Sequence, residues 1–169
     1  MGCPRKEVKE KRIGVKRNTL NMRGQSFPLM GNSPISKWTA VTKALCSRQI
    51  GILSLQETHL SDKLEIQTEQ LFSRCLAIYN SPDLENLMGS AGVAFIINKQ
   101  KIDTNDIVLM TLVTGRAIFL LIPCKHEDTL HFMNIYVPND LAQHSQSWPE
   151  VQYSTVGCKL PPLIIYNDR

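Results

Sequence analysis

Residues 52–60 read ILSLQETHL: a run suited to a buried strand delivers Gln56, Glu57, Thr58 and His59 at its end. A carboxylate set beside a core costs free energy unless something pairs with it, so Glu57 calls for an arginine, a backbone amide or a metal ion. Polar side chains occupy the same relative place in two further stretches, Asn21 in TLNMRG (19–24) and Tyr136 and Asn139 in NIYVPND (134–140). A fourth stretch, SAGVAFIINK (90–99), is a strand pattern of its own. Polar groups at strand ends converge on one rim of a sheet, which is where an α/β sheet builds its site. Taken singly, each residue has an ordinary reading as well. Glu57 reads as a solvated strand-end acid or a partner for the next helix start, Asn21 as a turn former before Gly24, and Tyr136 as a sheet aromatic. His59 reads as a surface loop residue.

The elements that must position these groups follow from pattern. A strand begins near Thr19 and runs into the Gly-, Ser- and Pro-rich loop GQSFPLMGNSP. Pro34 to Arg48 reads as a helix, with Ser33 as N-cap, Pro34 at its first position, and Trp38, Val41 and Leu45 on one face. The strand Ile50 to Leu55 comes directly after it. A second helix is predicted from Ser61 to about Leu76, with Leu64, Leu71, Phe72 and Cys75 inward, and a short strand over Leu76 to Tyr79. Strands follow at Ala91 to Asn98, Ile107 to Val113 with Ala117 to Ile122, and Thr129 to Val137. The polar turns NKQK and KHED between them predict antiparallel pairing. A small helix is expected near Ser147 and a last strand in LPPLIIYNDR. The expected class is α/β, with flanking helices on a mostly antiparallel sheet.

Composition narrows the function classes. The chain has 169 residues, 43% of them hydrophobic, which suits one folded domain. No apolar run reaches the ~18 residues that cross a bilayer, so no membrane span is expected. The net charge of +4 sits in the head: residues 1–17 hold seven basic residues against Glu7 and Glu10, leaving −1 for the remainder. We therefore expect a basic, disordered tail over 1–17 and an ordered domain over 18–169, without an overall bias of the body toward polyanions. Five widely spaced cysteines without a CxxC pair exclude a zinc ribbon and argue against a disulfide framework. An intracellular location, nuclear or cytoplasmic, is expected. Lys6 stands where an acylation signal after MGC would need Ser or Thr.

With the four stretches in order, and Gly115-Arg116-Ala117 between the third and fourth, the chain resembles the endonuclease/exonuclease/phosphatase superfamily, the deoxyribonuclease I-like fold. The likeness covers roughly residues 12–169 and is nearest to the endonuclease domain of non-LTR retrotransposons, especially fungal ones. The resemblance implies a four-layer α/β sandwich, a divalent Mg²⁺ or Mn²⁺, and DNA as partner. Glu57 matches the metal-binding acid. That suits Mg²⁺, which takes oxygen ligands and commonly one or two carboxylates with waters and phosphate. Asn21 matches the asparagine that helps place metal and phosphate, Tyr136 the tyrosine at the scissile phosphate, and Asn139 a phosphate-contacting amide. Gln56 looks like a support or substrate contact beside the metal ligand. Arg116 reads either as a substrate contact or as the partner of a core carboxylate.

The sequence also departs from that pattern. The family's late GDFN or GDLN and its final SDH, whose Asp and His handle the proton, do not occur in these residues. After Leu163 to Ile165 comes YNDR, in which Asp168 falls near the expected aspartate but follows Tyr166 and Asn167 in place of the usual approach. Arg23 stands where many relatives outside the retrotransposon branch carry an acid. The expectation is the front part of a nuclease domain, inactive as this chain, with one apolar sheet face uncovered and prone to self-association. The rival expectation is a binding module that keeps the half-fold without catalysis. An intact relative acting on small phosphoesters is disfavoured by the missing dyad.

Overall fold

The computed structural model describes residues 15–22, 34–83, 92–124 and 127–137. The element order is β1 (Arg17–Asn21), α1 (Pro34–Ser47), β2 (Ile52–Gln56), α2 (Asp62–Phe72), β3 (Leu76–Ser81), β4 (Val93–Asn98), β5 (Val108–Val113), β6 (Ala117–Cys124) and β7 (Glu127–Ile135). Four strands form one sheet in the order β1-β2-β4-β3, and three form a second in the order β5-β6-β7. Only β1 and β2 run parallel; every other pair is antiparallel.

The layers follow from which face of each strand is apolar. Leu53, Leu55, Ile78, Ala94 and Ile96 face the helices, where Trp38, Val41, Leu45 and Leu60 complete one core. Their alternates Ile52, Ala77, Val93, Phe95 and Ile97 face the second sheet and pack on Ile118, Leu120, Ile122 and Tyr136. A strand buried on both faces reads as a continuous apolar run, as VAFIIN does, and all six residues of β4 are buried. Non-directional burial of this kind supplies most of the fold's stabilisation.

Several expectations are corrected here. The turn NKQK does not close a hairpin, because β4 pairs with β2 and β3 while β5 belongs to the other sheet. It carries the chain between layers, whereas KHED does join the antiparallel pair β6 and β7. Leu71 is 57% exposed. Thr68, one turn beyond Leu64, is the buried residue of α2, and Phe72 one turn further on packs inward, which leaves Leu71 at the margin of that face. Both faces of the first sheet are covered, one by helices and one by the second sheet, so the expected uncovered face is not on that sheet. Val108 and Met110, exposed on β5, mark apolar surface on the second sheet instead. The N-cap Ser33, the helix near Ser147 and the last strand lie outside the described residues. Among the described residues, no helix is long and apolar enough to cross a membrane.

Candidate functional site

Parallel pairing of β1 with β2 sets Asn21 opposite Gln56 at the ends of both strands. The next residue, Glu57, turns the chain out of the sheet with φ 51°, a left-handed backbone that a residue with a Cβ adopts at a cost. The turn brings the carboxylate back over β1. Asn21 Nδ2 donates to Glu57 Oε1 at 3.1 Å, across 36 positions of sequence. The end of β1 is held in turn, for Met22 N donates to Gln56 O at 2.8 Å and Lys37 Nζ from α1 donates to Met22 O. Burial lowers the Lys37 pKa.

The other stretches meet at the same end through their backbones. Thr58 N donates to Gly92 O at 3.2 Å, Gly92 N to Gly115 O at 2.8 Å, and Gly115 N to Ser81 Oγ at 3.0 Å. Tyr136 N donates to Arg116 O at 2.7 Å. Two glycines are required for this. Gly92 has φ 99°, and a Cβ there would lie 2.8 Å from Thr58 Oγ1. Gly115 has φ 69°, and a Cβ would meet Asp83 Cα and Cβ at 2.9 Å. The stretches 19–22, 56–58, 92–93, 115–117 and 134–136 therefore converge on one rim.

Gln56 points between the sheets, where its Nε2 donates to Ile135 O at 2.8 Å. That contact sets Tyr136, the next residue, close to the end of β2. Tyr136 is buried within the layer between the sheets, not exposed on the rim. Arg116 is half-buried in the turn between β5 and β6. Asn139 and Asp168 lie outside the described residues. His59 is half-buried with φ 45°, so the surface-loop expectation is corrected. Cys46, Cys75 and Cys124 carry free thiols.

Sequence reasoning missed Asn134 and Lys37. Asn134 Nδ2 donates to Leu55 O at 2.8 Å and Ala94 O at 3.0 Å from a buried position. The signal was present as an amide interrupting the inward alternation Leu130, Phe132, Asn134, Tyr136. Lys37 gave no signal, since one lysine early in a helix is ordinary.

Among the described residues no three of His, Cys, Asp and Glu gather as a metal-binding group. A cage of nitrogen and sulfur ligands is thus not built from them. One carboxylate held by an amide, open to solvent on the Asn21 side, does fit a hard cation that keeps waters and takes phosphate oxygens.

No model of a known protein family matches the chain, and no curated protein matches it in sequence. Among solved structures it is similar to D. rerio TDP2 complexed with single strand DNA product, at TM-score 0.51 and 10% identity, covering 84% of this chain and 55% of that one. It is also similar to the human Nocturnin catalytic domain with bound sulfate anion, at TM-score 0.46 and 18% identity over 74% and 53% of the two chains. A third likeness is to an endonuclease/exonuclease/phosphatase family protein from Leptotrichia buccalis, at TM-score 0.42 and 15% identity over 78% and 59%. The chain spans between about half and three-fifths of the length of these structures. At 10% identity the D. rerio likeness speaks of fold, not chemistry. Helices, sheet and second sheet in succession, shared with that structure, make this chain an α/β protein of the deoxyribonuclease I-like fold.

Proposed function

We propose that the Asn21–Glu57 rim binds a divalent cation together with a DNA phosphate. The chain then represents a DNA endonuclease lineage of the non-LTR retrotransposon type, and the 169-residue polypeptide binds without cleaving. The observation that carries this is the Asn21–Glu57 hydrogen bond, made by a carboxylate in a left-handed backbone at the end of a buried strand. Non-glycine residues hold such backbones where the surroundings over-determine them, and functional sites are where they gather. The D. rerio structure supports DNA as the partner, since it holds a single strand DNA product on the same fold.

Two roles rest on the hydrogen bond between Asn21 and Glu57. Glu57 presents an anionic oxygen, and the Asn21 amide fixes which way it points. A bound Mg²⁺ or Mn²⁺ would supply positive charge against the phosphate oxygens. The resemblance, not placement, assigns Tyr136 and Asn139 to the phosphate, Arg116 to the polyanion and Asp168 as a weaker second carboxylate, while Gln56 supports the β2 end through its bond to Ile135 O. The SDH pattern that would carry the Asp–His proton dyad does not occur in these 169 residues. A lost proton-transfer group costs ~10²–10⁴-fold in rate, which is why the 169-residue polypeptide is assigned binding without turnover.

The test is Mn²⁺ affinity by electron paramagnetic resonance, with and without a short DNA duplex, for the parent chain and Glu57→Gln. Loss of binding in the variant is expected; equal affinity in both overturns the metal assignment. Supercoiled plasmid with Mg²⁺ tests the second part, because nicking that Glu57→Ala abolishes would show the polypeptide to be an active nuclease.

A further inference from the structure

We infer that Asn134 is a positioning residue for the Glu57 rim: with Gln56 it forms a reciprocal amide clamp that fixes β7, and hence Tyr136, against the end of β2. This deepens the cation-binding reading above and rests on it for its functional meaning.

The clamp is visible in three hydrogen bonds. From β7, Asn134 Nδ2 donates to Leu55 O at 2.8 Å and to Ala94 O at 3.0 Å, on two strands of the opposite sheet. From β2, Gln56 Nε2 donates back to Ile135 O at 2.8 Å. Adjacent residues of one strand thus exchange bonds with adjacent residues of the other. Leu55 lies two residues before Glu57, and Ile135 one residue before Tyr136.

An apolar side chain would fill position 134 more simply. Asn134 is 4% exposed, and its cross-strand partner on β6 is Ile118, fully buried between the sheets. A buried amide costs free energy unless its hydrogen bonds are made. What it gives in return is direction. Apolar burial between two sheets is indifferent to small sliding of one over the other, whereas two short bonds from one nitrogen fix distance and angle. Ala94 also leads back through Val93 to Gly92, whose carbonyl holds Thr58 N. One side chain therefore secures both β2, which leads into the Glu57 turn, and β4, whose start is bonded to it.

The experiment compares Asn134→Ala with Ile118→Val, a change on the same buried face that removes packing but no hydrogen bond. Two quantities are read on the full chain: affinity for Mn²⁺ alone, and amide hydrogen exchange at Thr58 and Tyr136. Outer supports of a metal ligand change affinity by roughly 10–100-fold, so Asn134→Ala should weaken Mn²⁺ by at least about tenfold while Ile118→Val does not. Exchange at both amides should rise about tenfold or more in Asn134→Ala only, as local opening becomes easier. Parent-like Mn²⁺ affinity in folded Asn134→Ala overturns the proposal, as does exchange no faster than in Ile118→Val. If the parent itself binds no Mn²⁺, the cation reading of the rim falls, and the exchange comparison alone decides the clamp. Should Asn134→Ala not fold, Asn134→Ser, which keeps a short donor, is judged by the same two readouts.

Discussion

Asn21 is the last residue of β1 and Glu57 the first beyond β2, two strands that run parallel, and a 3.1 Å bond from amide to carboxylate joins them. A parallel pair needs a long connection between its strands, here one that includes α1, so this contact exists only in the folded chain. Asn21 is exposed, so its removal should cost less than ~1 kcal/mol of stability. Its effect should appear in Mn²⁺ binding, where Asn21→Ala weakens affinity about tenfold by freeing the carboxylate. A double-mutant cycle with Glu57→Gln measured by calorimetry checks the claim, since strictly additive losses would show that the two groups act apart.

The left-handed backbone at Glu57 makes a second prediction separable from the first. Both Glu57→Ala and Glu57→Gly delete the carboxylate and its bond to Asn21. Only glycine relieves the φ of 51°, at which a Cβ crowds its own carbonyl. Glu57→Gly should therefore be more stable than Glu57→Ala by about 1 kcal/mol in urea unfolding. Equal stability would mean that the turn relaxes at no cost when the carboxylate is gone.

Much of this rim is legible in the amino-acid sequence. VAFIIN and ILSLQ are apolar runs of strand length, and α1 shows Trp38, Val41 and Leu45 at helical spacing, because burial on one or both faces writes itself into periodicity. The convergence of the stretches around Asn21, Glu57 and Tyr136 was legible only through their order. Sheet membership was not legible. NKQK looks like any hairpin turn, and whether β4 pairs with β5 or with β2 depends on long-range packing that four polar residues do not record. Asn134 was missed for a related reason: a buried amide is identified by its acceptors, and Leu55 and Ala94 lie 79 and 40 positions away. Leu71 failed in the opposite sense, since helix spacing placed it inward while the short α2 ends at the next residue.

The Gly115 turn gives a stability prediction with no functional premise. Its φ of 69° and the backbone of Asp83 at 2.9 Å from an added Cβ act together. Flexible side-chain ends could move aside, but Asp83 Cα cannot do so without shifting the strand that precedes it. Gly115→Ala should cost ~1–3 kcal/mol in thermal unfolding. Because Gly115 also bridges Ser81 and Gly92, amide exchange at Gly92 should rise in the variant. An unchanged melting temperature would contradict the close approach.

Glu65 on α2 carries the pH prediction. Burial raises its pKa from the ordinary value; the Asn80 amide, which donates to Oε2 at 3.0 Å, opposes the rise, and Glu69 and Asp62 add to it. The fold thus holds the neutral acid more readily than the carboxylate. In the unfolded chain Glu65 ionises first, so its contribution to stability is greatest in acid, falls as pH climbs from the unfolded to the raised folded value, and stays low above that. Glu65→Gln keeps an oxygen for Asn80 and abolishes the titration. The variant should gain stability at neutral pH and show a flatter profile from acid to neutral than the parent. Glu65 is half-buried and solvent screens part of the effect, so the gain should stay below about 1 kcal/mol. Denaturant unfolding across that range decides it: a variant less stable than the parent at neutral pH would mean that the ionised carboxylate, through Asn80, is worth more to the fold than its burial costs.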